Sequence, residues 1–308
     1  MALKVFNFQY QNNQVYQNFC NLLNITPNKV IDVEAIPFLP IEFFKNQLVI
    51  CGEEKPDITF LSSGTTGQNQ SKHLVKDVSV YVESFTKGFE QFYEKIDEYC
   101  FLALLPSYME REGSSLIYMT EYLVEHSKHP LSGFYLNNYN ELIETIKKLK
   151  RQKQQTILIG VSFALLDLAE QHQIDLSDIV IMETGGMKGR RKEMTRTELH
   201  AIYKERFNVN QIHSEYGMTE LLSQAYSKGN GLFETPSWMK ILIREPNDPF
   251  HLLSTNQTGG INVIDLANYN SCSFIATQDL GKIYDNHTFE VLGRFDNSDL
   301  RGCNLLIQ

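Results

Sequence analysis

The chain has 308 residues, 42% hydrophobic and 21% charged, enough for one large α/β domain or two smaller ones. Lys and Arg number 28 against 37 Asp and Glu, giving a formal net charge of −9. With no long basic block, that balance argues against a general nucleic-acid or anionic-membrane binder. No apolar run approaches the ~18 residues of a membrane span, and the N-terminus MALKVFNFQYQNNQ has no secretory pattern. Five cysteines (Cys20, Cys51, Cys100, Cys272, Cys303) form no C-x-x-C pair, and no H-E-x-x-H occurs. The expectation is a cytoplasmic protein with reduced thiols, no membrane insertion and no catalytic zinc.

Taken in chain order, apolar runs of strand length fall at Leu48 to Cys51, Phe101 to Leu105, Thr156 to Val161 and Ile179 to Met182. Helical periodicity fills Val78 to Ile96, Leu142 to Gln152 and Glu193 to Phe207. Continuous apolar strands alternating with helices predict a parallel sheet covered on both faces. The basic run KKLKRQK at residues 147–153 reads as a solvated helix face. After about residue 230 the pattern changes to short alternating pieces, MKILIRE, GGINVIDL, SCSFIAT and FEVLGRF, between Asn, Gly and Asp turns. These predict a small antiparallel β subdomain, so residues 1–230 are expected to form an α/β core and residues 231–308 a β-rich subdomain.

The strongest local signal is the loop Thr59-Phe-Leu-Ser-Ser-Gly-Thr-Thr-Gly-Gln-Asn-Gln-Ser-Lys72-His73. Ser62, Ser63, Thr65 and Thr66 place four hydroxyls around Gly64, Gly67 closes a tight turn, and Lys72 follows. Glycines let several backbone N–H groups converge on one anion, hydroxyls add donors, and lysine adds charge, which suits a polyphosphate. The Walker pattern is absent, because Asn69 stands five residues after Gly64. An ordinary polar Ser/Thr/Gly loop is the alternative. Gly160-Val-Ser162-Phe-Ala164 is close to the G-x-S-x-G nucleophile elbow but ends in Ala, and a helix start lining an acyl pocket fits it better.

SSGTTG followed by Lys72 resembles the phosphate loop of the adenylate-forming enzymes: acyl- and aryl-CoA synthetases, peptide-synthetase adenylation domains and luciferase. Four further segments resemble that superfamily's motifs in the same order. Glu183-Thr-Gly-Gly186-Met-Lys-Gly189 is similar to its Gly-Gly loop, which implies Gly185, Gly186 and Met187 along an adenine ring. His213-Ser-Glu-Tyr216-Gly217-Met218-Thr219-Glu220 is similar to its Tyr-Gly-x-Thr-Glu. The resemblance implies Tyr216 beside Gly217 on the base, Thr219 on the α-phosphate and Glu220 as the Mg²⁺ carboxylate. An aromatic face for a base and a hard carboxylate for magnesium make chemical sense. Thr277-Gln-Asp279-Leu-Gly281 is similar to Thr-Gly-Asp-Leu-Gly, implying Asp279 on both ribose hydroxyls. Gly293-Arg294 through Gly302 is similar to the hinge segment, implying Arg294 on ribose or phosphate.

The implied fold is the large N-terminal lobe of an adenylate-forming enzyme, its sheets covered by helices, with the antiparallel β subdomain last and the usual mobile C-terminal domain absent. Ile36 to Lys45, Leu105 to Ser115 and the ending Arg301-Gly-Cys303-Asn-Leu narrow the resemblance to the short LuxE-type acyl-protein synthetases. That group implies ATP- and Mg²⁺-dependent activation of a carboxylic acid, a fatty acid by preference, to acyl-AMP. The acyl group then passes to a protein thiol for a reductase or carrier partner. Acyl- or aryl-CoA ligation with CoA as acceptor, and non-catalytic binding of an acyl-adenylate or nucleotide, are the alternatives. The same resemblance implies a late cysteine as acyl acceptor. Cys303, on a terminal segment that can swing toward a site, is the expected one; its alternation with Leu305 and Ile307 also suits a packed strand.

Overall fold

The computed structural model describes residues 1–63, 70–106, 113–136, 138–185 and 194–295. Its helices are α1 (Ala2–Asn12), α2 (Gln14–Leu22), α3 (Phe43–Asn46), α4 (Val78–Phe92), α5 (Ser115–His126), α6 (Tyr139–Gln152), α7 (Ser162–Gln171) and α8 (Arg196–Phe207). The strands of the first half are β1 (Leu39–Pro40), β2 (Ile58–Leu61), β3 (Lys72–Val75), β4 (Cys100–Leu104), β5 (Gly133–Phe134) and β6 (Thr156–Val161). Those of the second half are β7 (Val180–Thr184), β8 (His213–Tyr216), β9 (Ala225–Ser227), β10 (Met239–Arg244), β11 (Thr258–Asp265), β12 (Phe274–Ile283) and β13 (Phe289–Arg294). Among the described residues no helix is long and apolar enough to cross a membrane.

The chain divides into two compact units, and the division is not a single cut. The first unit gathers Met1–Tyr81, Glu220–Ser223 and Glu234–Gln308; the second gathers Val82–Thr219 and Gln224–Phe233. The N-terminal segment thus groups with the C-terminal strands.

The second unit is built on a six-stranded sheet ordered β5-β4-β6-β7-β8-β9. The first five strands run parallel, and β9 returns antiparallel on β8. Every residue of β4 and β6 is buried, so both faces of these strands are covered, as an unbroken apolar run requires. Helices α6, α7 and α8 supply the crossovers between successive strands of this run. α6 starts on Asn138, whose side chain accepts from Glu141 N, and ends on Lys153 in the left-handed conformation. Its basic residues stay outside: Lys147 pairs with Glu144, and Lys150 with Asp175. α8 starts later than the periodicity suggests because Thr195 and Glu198 form a capping box that fixes its first turn.

In the first unit, β12 lies at the centre of an antiparallel sheet ordered β1-β12-β11-β10, with β13 also paired to β12. β1 joins that sheet in parallel, with Leu39 opposite Ile275 and Pro40 opposite Ala276. A separate hairpin, β2 with β3, brackets the Gly/Ser/Thr loop, with Leu61 opposite Lys72. One expected strand is not a strand. Leu48 to Cys51 is irregular, and its backbone is satisfied by loop partners: Cys51 N donates to Asn270 O at 2.8 Å, and Val49 O accepts from Ser271 Oγ at 2.7 Å. Of its apolar side chains, Val49 and Cys51 are buried, while Leu48 is exposed.

Candidate functional site

In the first unit the Gly/Ser/Thr loop stands on a closed foot. Ser62 N donates to Ser71 O at 3.0 Å, Ser71 N donates to Ser62 Oγ at 2.9 Å, and Gln70 Nε2 donates to Ser62 O at 2.9 Å. Ser63 and Lys72 are exposed beside this foot. Gly64, Thr65, Thr66 and Gly67, the expected phosphate ligands, lie outside the described residues. Alternation along β3 turns Ser71, His73 and Val75 inward and Lys72 outward.

Glu220 is buried in this unit, and its carboxylate hydrogen-bonds with the Ser71 side chain at the foot of the loop. Burial raises its carboxyl above the ordinary value, while Ser71, Arg294 and Lys45 pull the other way. A carboxylate that is costly to ionise in isolation, facing two cations, suits a place where further positive charge arrives. The chain behind it is held by Asp265, which accepts from Leu222 N at 2.8 Å, Ser223 N at 3.0 Å and Ser223 Oγ at 2.6 Å.

Asp279 lies on β12 directly opposite Arg294 on β13, and Arg294 Nε approaches Asp279 Oδ1 to 3.2 Å. The arginine side chain is 78% exposed and the carboxylate 10%, so Asp279 is the fixed partner. Its backbone N–H donates to Thr277 Oγ1 at 3.1 Å, and Thr277 Oγ1 donates to Ile261 O at 2.9 Å. Gly281, two residues on, admits no side chain: a Cβ there would sit 2.6 Å from Glu290 O. Arg244 braces this segment from β10, donating to Thr277 O at 2.5 Å, Ile261 O at 2.8 Å and Asn262 Oδ1 at 2.8 Å. Sequence reading missed Arg244, since nothing near it marks a site.

The second unit presents its motifs at the C-terminal ends of adjacent parallel strands, the usual place for a ligand in an α/β sheet. β7 ends in Glu183-Thr184 followed by Gly185, whose φ of +66° is the left-handed turn that glycine tolerates. Gly186 and Met187 lie outside the described residues. Glu183 is buried among three partners: Ser162 Oγ donates to Oε1 at 2.7 Å, His200 Nε2 lies 2.8 Å from Oε2, and Arg196 Nε lies 4.0 Å from Oε2. Burial pushes its carboxyl up, but His200, Ser162 and Arg196 outweigh that and hold it below the ordinary value. Ser162 thus donates to a carboxylate in the core, where a hydrolase nucleophile would need a histidine and access.

β8 carries Tyr216, whose ring meets Phe233 edge-on at 6.0 Å between centroids, with Arg196 Cζ 5.1 Å above the Phe233 ring. Thr219 follows on a half-buried turn. Glu215, adjacent to Tyr216, is buried and accepts a hydrogen bond from Thr184; burial pushes its carboxyl up to about 7. Gly217 lies against it so closely that a Cβ would fall on Glu215 Oε1. At the other end of β8, burial and then Lys228 push the His213 ring down to about 4, and His213 Nδ1 lies 3.0 Å from the Tyr93 hydroxyl. Of the expected residues, the structure therefore brings Glu220 to the foot of the loop and pairs Asp279 with Arg294 in the first unit. In the second it sets Gly185, Tyr216 and Gly217 at neighbouring strand ends. Cys303 lies outside the described residues.

Among solved structures, an open conformation of 2-hydroxyisobutyryl-CoA ligase with 2-HIB-AMP and CoA matches with a TM-score of 0.67 at 9% identity, over 96% of this chain and 68% of that one. O-succinylbenzoate coenzyme A synthetase (MenE) from Bacillus subtilis, in complex with ATP and magnesium ion, matches with a TM-score of 0.52 at 17% identity. That match covers 77% of this chain, which spans about half (49%) of the MenE chain. At these identities the likeness establishes the fold, that of the adenylate-forming enzymes' large lobe. Sequence relatives are more specific. Long-chain-fatty-acid–luciferin-component ligases from Aliivibrio fischeri and Vibrio harveyi are 21% and 24% identical, over 99% and 97% of this chain and 86% and 84% of theirs. The family described as acyl-protein synthetase, LuxE, matches residues 1–308, the whole length given, and the chain belongs to that family.

Proposed function

We propose that the protein activates a long-chain fatty acid with Mg-ATP and passes the acyl group to a protein thiol. The LuxE family match over the whole length carries this reading, and it favours a protein acceptor over CoA. A carboxylate oxygen of the acid attacks the α-phosphorus of ATP, the bond to the β-phosphate oxygen breaks, and pyrophosphate leaves. A thiolate then attacks the acyl carbonyl of acyl-AMP, forming a thioester and releasing AMP. Both reacting partners in the first step are anions, so the chain's part is positioning and charge neutralisation.

The donors present suit magnesium carried by the nucleotide. Among the described residues no group of three or more His, Cys, Asp and Glu could hold a metal by itself. Magnesium commonly takes one or two protein carboxylates and completes its shell with phosphates and water. Glu220, buried beside the foot of the Gly/Ser/Thr loop, is the carboxylate we assign to it. When bound, the metal would offset phosphate charge. Ser62, Ser63, Gly64, Thr65, Thr66, Gly67 and Lys72 are assigned to the phosphates, and Thr219 to the α-phosphate. Asp279 and Arg294 are assigned to the ribose, and Gly185, Gly186, Met187, Tyr216 and Gly217 to the base. The acyl-accepting protein is a reductase or carrier in this proposal.

Pyrophosphate exchange with a panel of fatty acids, followed by acyl transfer offered to CoA and to a protein thiol, tests the reading. ATP–pyrophosphate exchange that no acid stimulates would reduce the protein to a nucleotide binder. Glu220→Gln is expected to fold normally and to lower Mg-dependent exchange at least tenfold, about 1.4 kcal/mol in the barrier. A variant with reduced thermal stability and unchanged specific activity would make Glu220 structural. Asp279→Ala is expected to weaken ATP binding by ~1.5–3 kcal/mol, the range for hydrogen bonds to a charged group. Calorimetry measures it, and an unchanged affinity would remove the ribose assignment.

A further inference from the structure

Glu220 is held by more than the Ser71 contact. Its backbone carbonyl accepts from Asn268 Nδ2 at 2.8 Å, and the same amide nitrogen donates to Cys272 O at 3.0 Å. The other end of that amide, Oδ1, lies 2.9 Å from His73 Nε2. With both amide hydrogens committed to carbonyls, the oxygen can only accept, so His73 must carry its proton on Nε2. Asn268 and His73 are both essentially inaccessible, at 1% and 0% exposure. An unmet bond there would cost the full desolvation of the group.

These bonds close a circuit within the first unit. Ser71 and His73 sit two residues apart, both turned inward. Ser71 holds the Glu220 carboxylate, His73 holds Asn268, and Asn268 holds the Glu220 carbonyl. Asn268 is itself set by a 3-10 turn, Leu266–Asn268, whose first residues are capped by Asp265. Asp265 is also the acceptor for Leu222 and Ser223 just after Glu220. The His73 ring is fixed edge-on to Phe44 at 5.7 Å. Nothing in the circuit is a surface contact that solvent could replace.

We propose that Asn268, anchored by His73, is a positioning residue that holds the Glu220 carboxylate ready at the foot of the phosphate loop before Mg-ATP arrives. The inference rests on reading Glu220 as the magnesium carboxylate. Preorganisation of this kind lowers the ordering cost of binding, so its loss falls on the metal-dependent part of nucleotide affinity. Asn268 reaches no ligand in this scheme. Its effect passes through Glu220.

The test is ATP affinity by calorimetry, with Mg²⁺ and with EDTA, in wild type, Asn268→Leu, His73→Phe, His73→Gln and Glu220→Gln. Asn268→Leu and His73→Phe are expected to lose about tenfold of the Mg-dependent gain in affinity while binding in EDTA stays within about twofold. His73→Gln, which restores an N–H donor, is expected to keep most of the gain. Folded Asn268→Leu and His73→Phe that keep the whole gain overturn the proposal, and so does an equal loss with and without Mg²⁺. Should Asn268→Leu fail to fold, the His73→Phe and His73→Gln pair decides by the same measurement. Glu220→Gln separates the two layers. If it keeps the gain, the magnesium reading of Glu220 fails and the positioning proposal with it; if it loses the gain while the other two keep it, only the positioning proposal fails.

Discussion

Incubated with Mg-ATP and a labelled long-chain fatty acid, wild-type protein is expected to acquire a hydroxylamine-labile acyl group, and Cys303→Ser to acquire none. Cys20, Cys51, Cys100 and Cys272 are all buried, at 0% or 1% exposure. Burial pushes the Cys20 and Cys51 thiols up to about 12, and it raises Cys100 and Cys272 as well. A thiol near ~8.5 is a few per cent thiolate at neutral pH, and one near 12 has on the order of 10³ times less. Cys272, the other late cysteine, also spends its Sγ on Phe274 O at 3.3 Å. Burial and a raised thiol argue against all four, and Cys303, with Arg301 two residues before it, is the proposed acceptor within this chain. Cys272→Ser serves as the control and should still acylate. A thioester that forms equally well on Cys303→Ser would exclude that residue and move the acceptor to one of the other four cysteines.

The parts of this architecture visible in the sequence are those written locally. β6 matches the apolar run Thr156 to Val161 residue for residue, because a strand buried on both faces needs nothing else. The four short alternating pieces after residue 230 became β10 to β13, whose alternation and turns are short-range signals. Tyr216, Glu220 and Asp279 stood out through resemblance, each inside a motif of adjacent residues. The residues that hold them were not visible. Asn268 meets His73 from 195 positions away and Glu220 from 48, so no sequence neighbour marks either residue. The grouping of the N-terminus with the last strands was hidden for the same reason. Gln9 Nε2 donates to Ser273 Oγ 264 positions away, and two residues, Leu39 and Pro40, make the parallel edge strand. Leu48 to Cys51 misled because burial alone was legible there, not where its backbone bonds would go.

The pH dependence of stability is expected to centre on Glu215. Its carboxyl is buried on β8, accepts from Thr184 on β7, and lies against Gly217, which follows Tyr216 at the end of the strand. Burial, the larger influence, pushes it from an ordinary 4.5 up to about 7. A carboxyl raised in the folded state is protonated there while the unfolded chain has already released its proton. Its contribution is therefore complete below about pH 4.5 and is lost as pH rises through about 7. Over that interval of about 2.5 units the wild type should lose about 3 kcal/mol relative to Glu215→Gln, which cannot ionise. Urea unfolding at pH 5, 6, 7 and 8, taken as the difference between the two proteins, measures it. Parallel curves would show that Glu215 is ordinary in the folded state, and a wild type that gains on Glu215→Gln as pH rises would reverse the sign of the argument. Thr184→Val provides a second check. The threonine bond favours the charged carboxylate, so removing it should push the Glu215 carboxyl higher still and carry the loss of stability to higher pH.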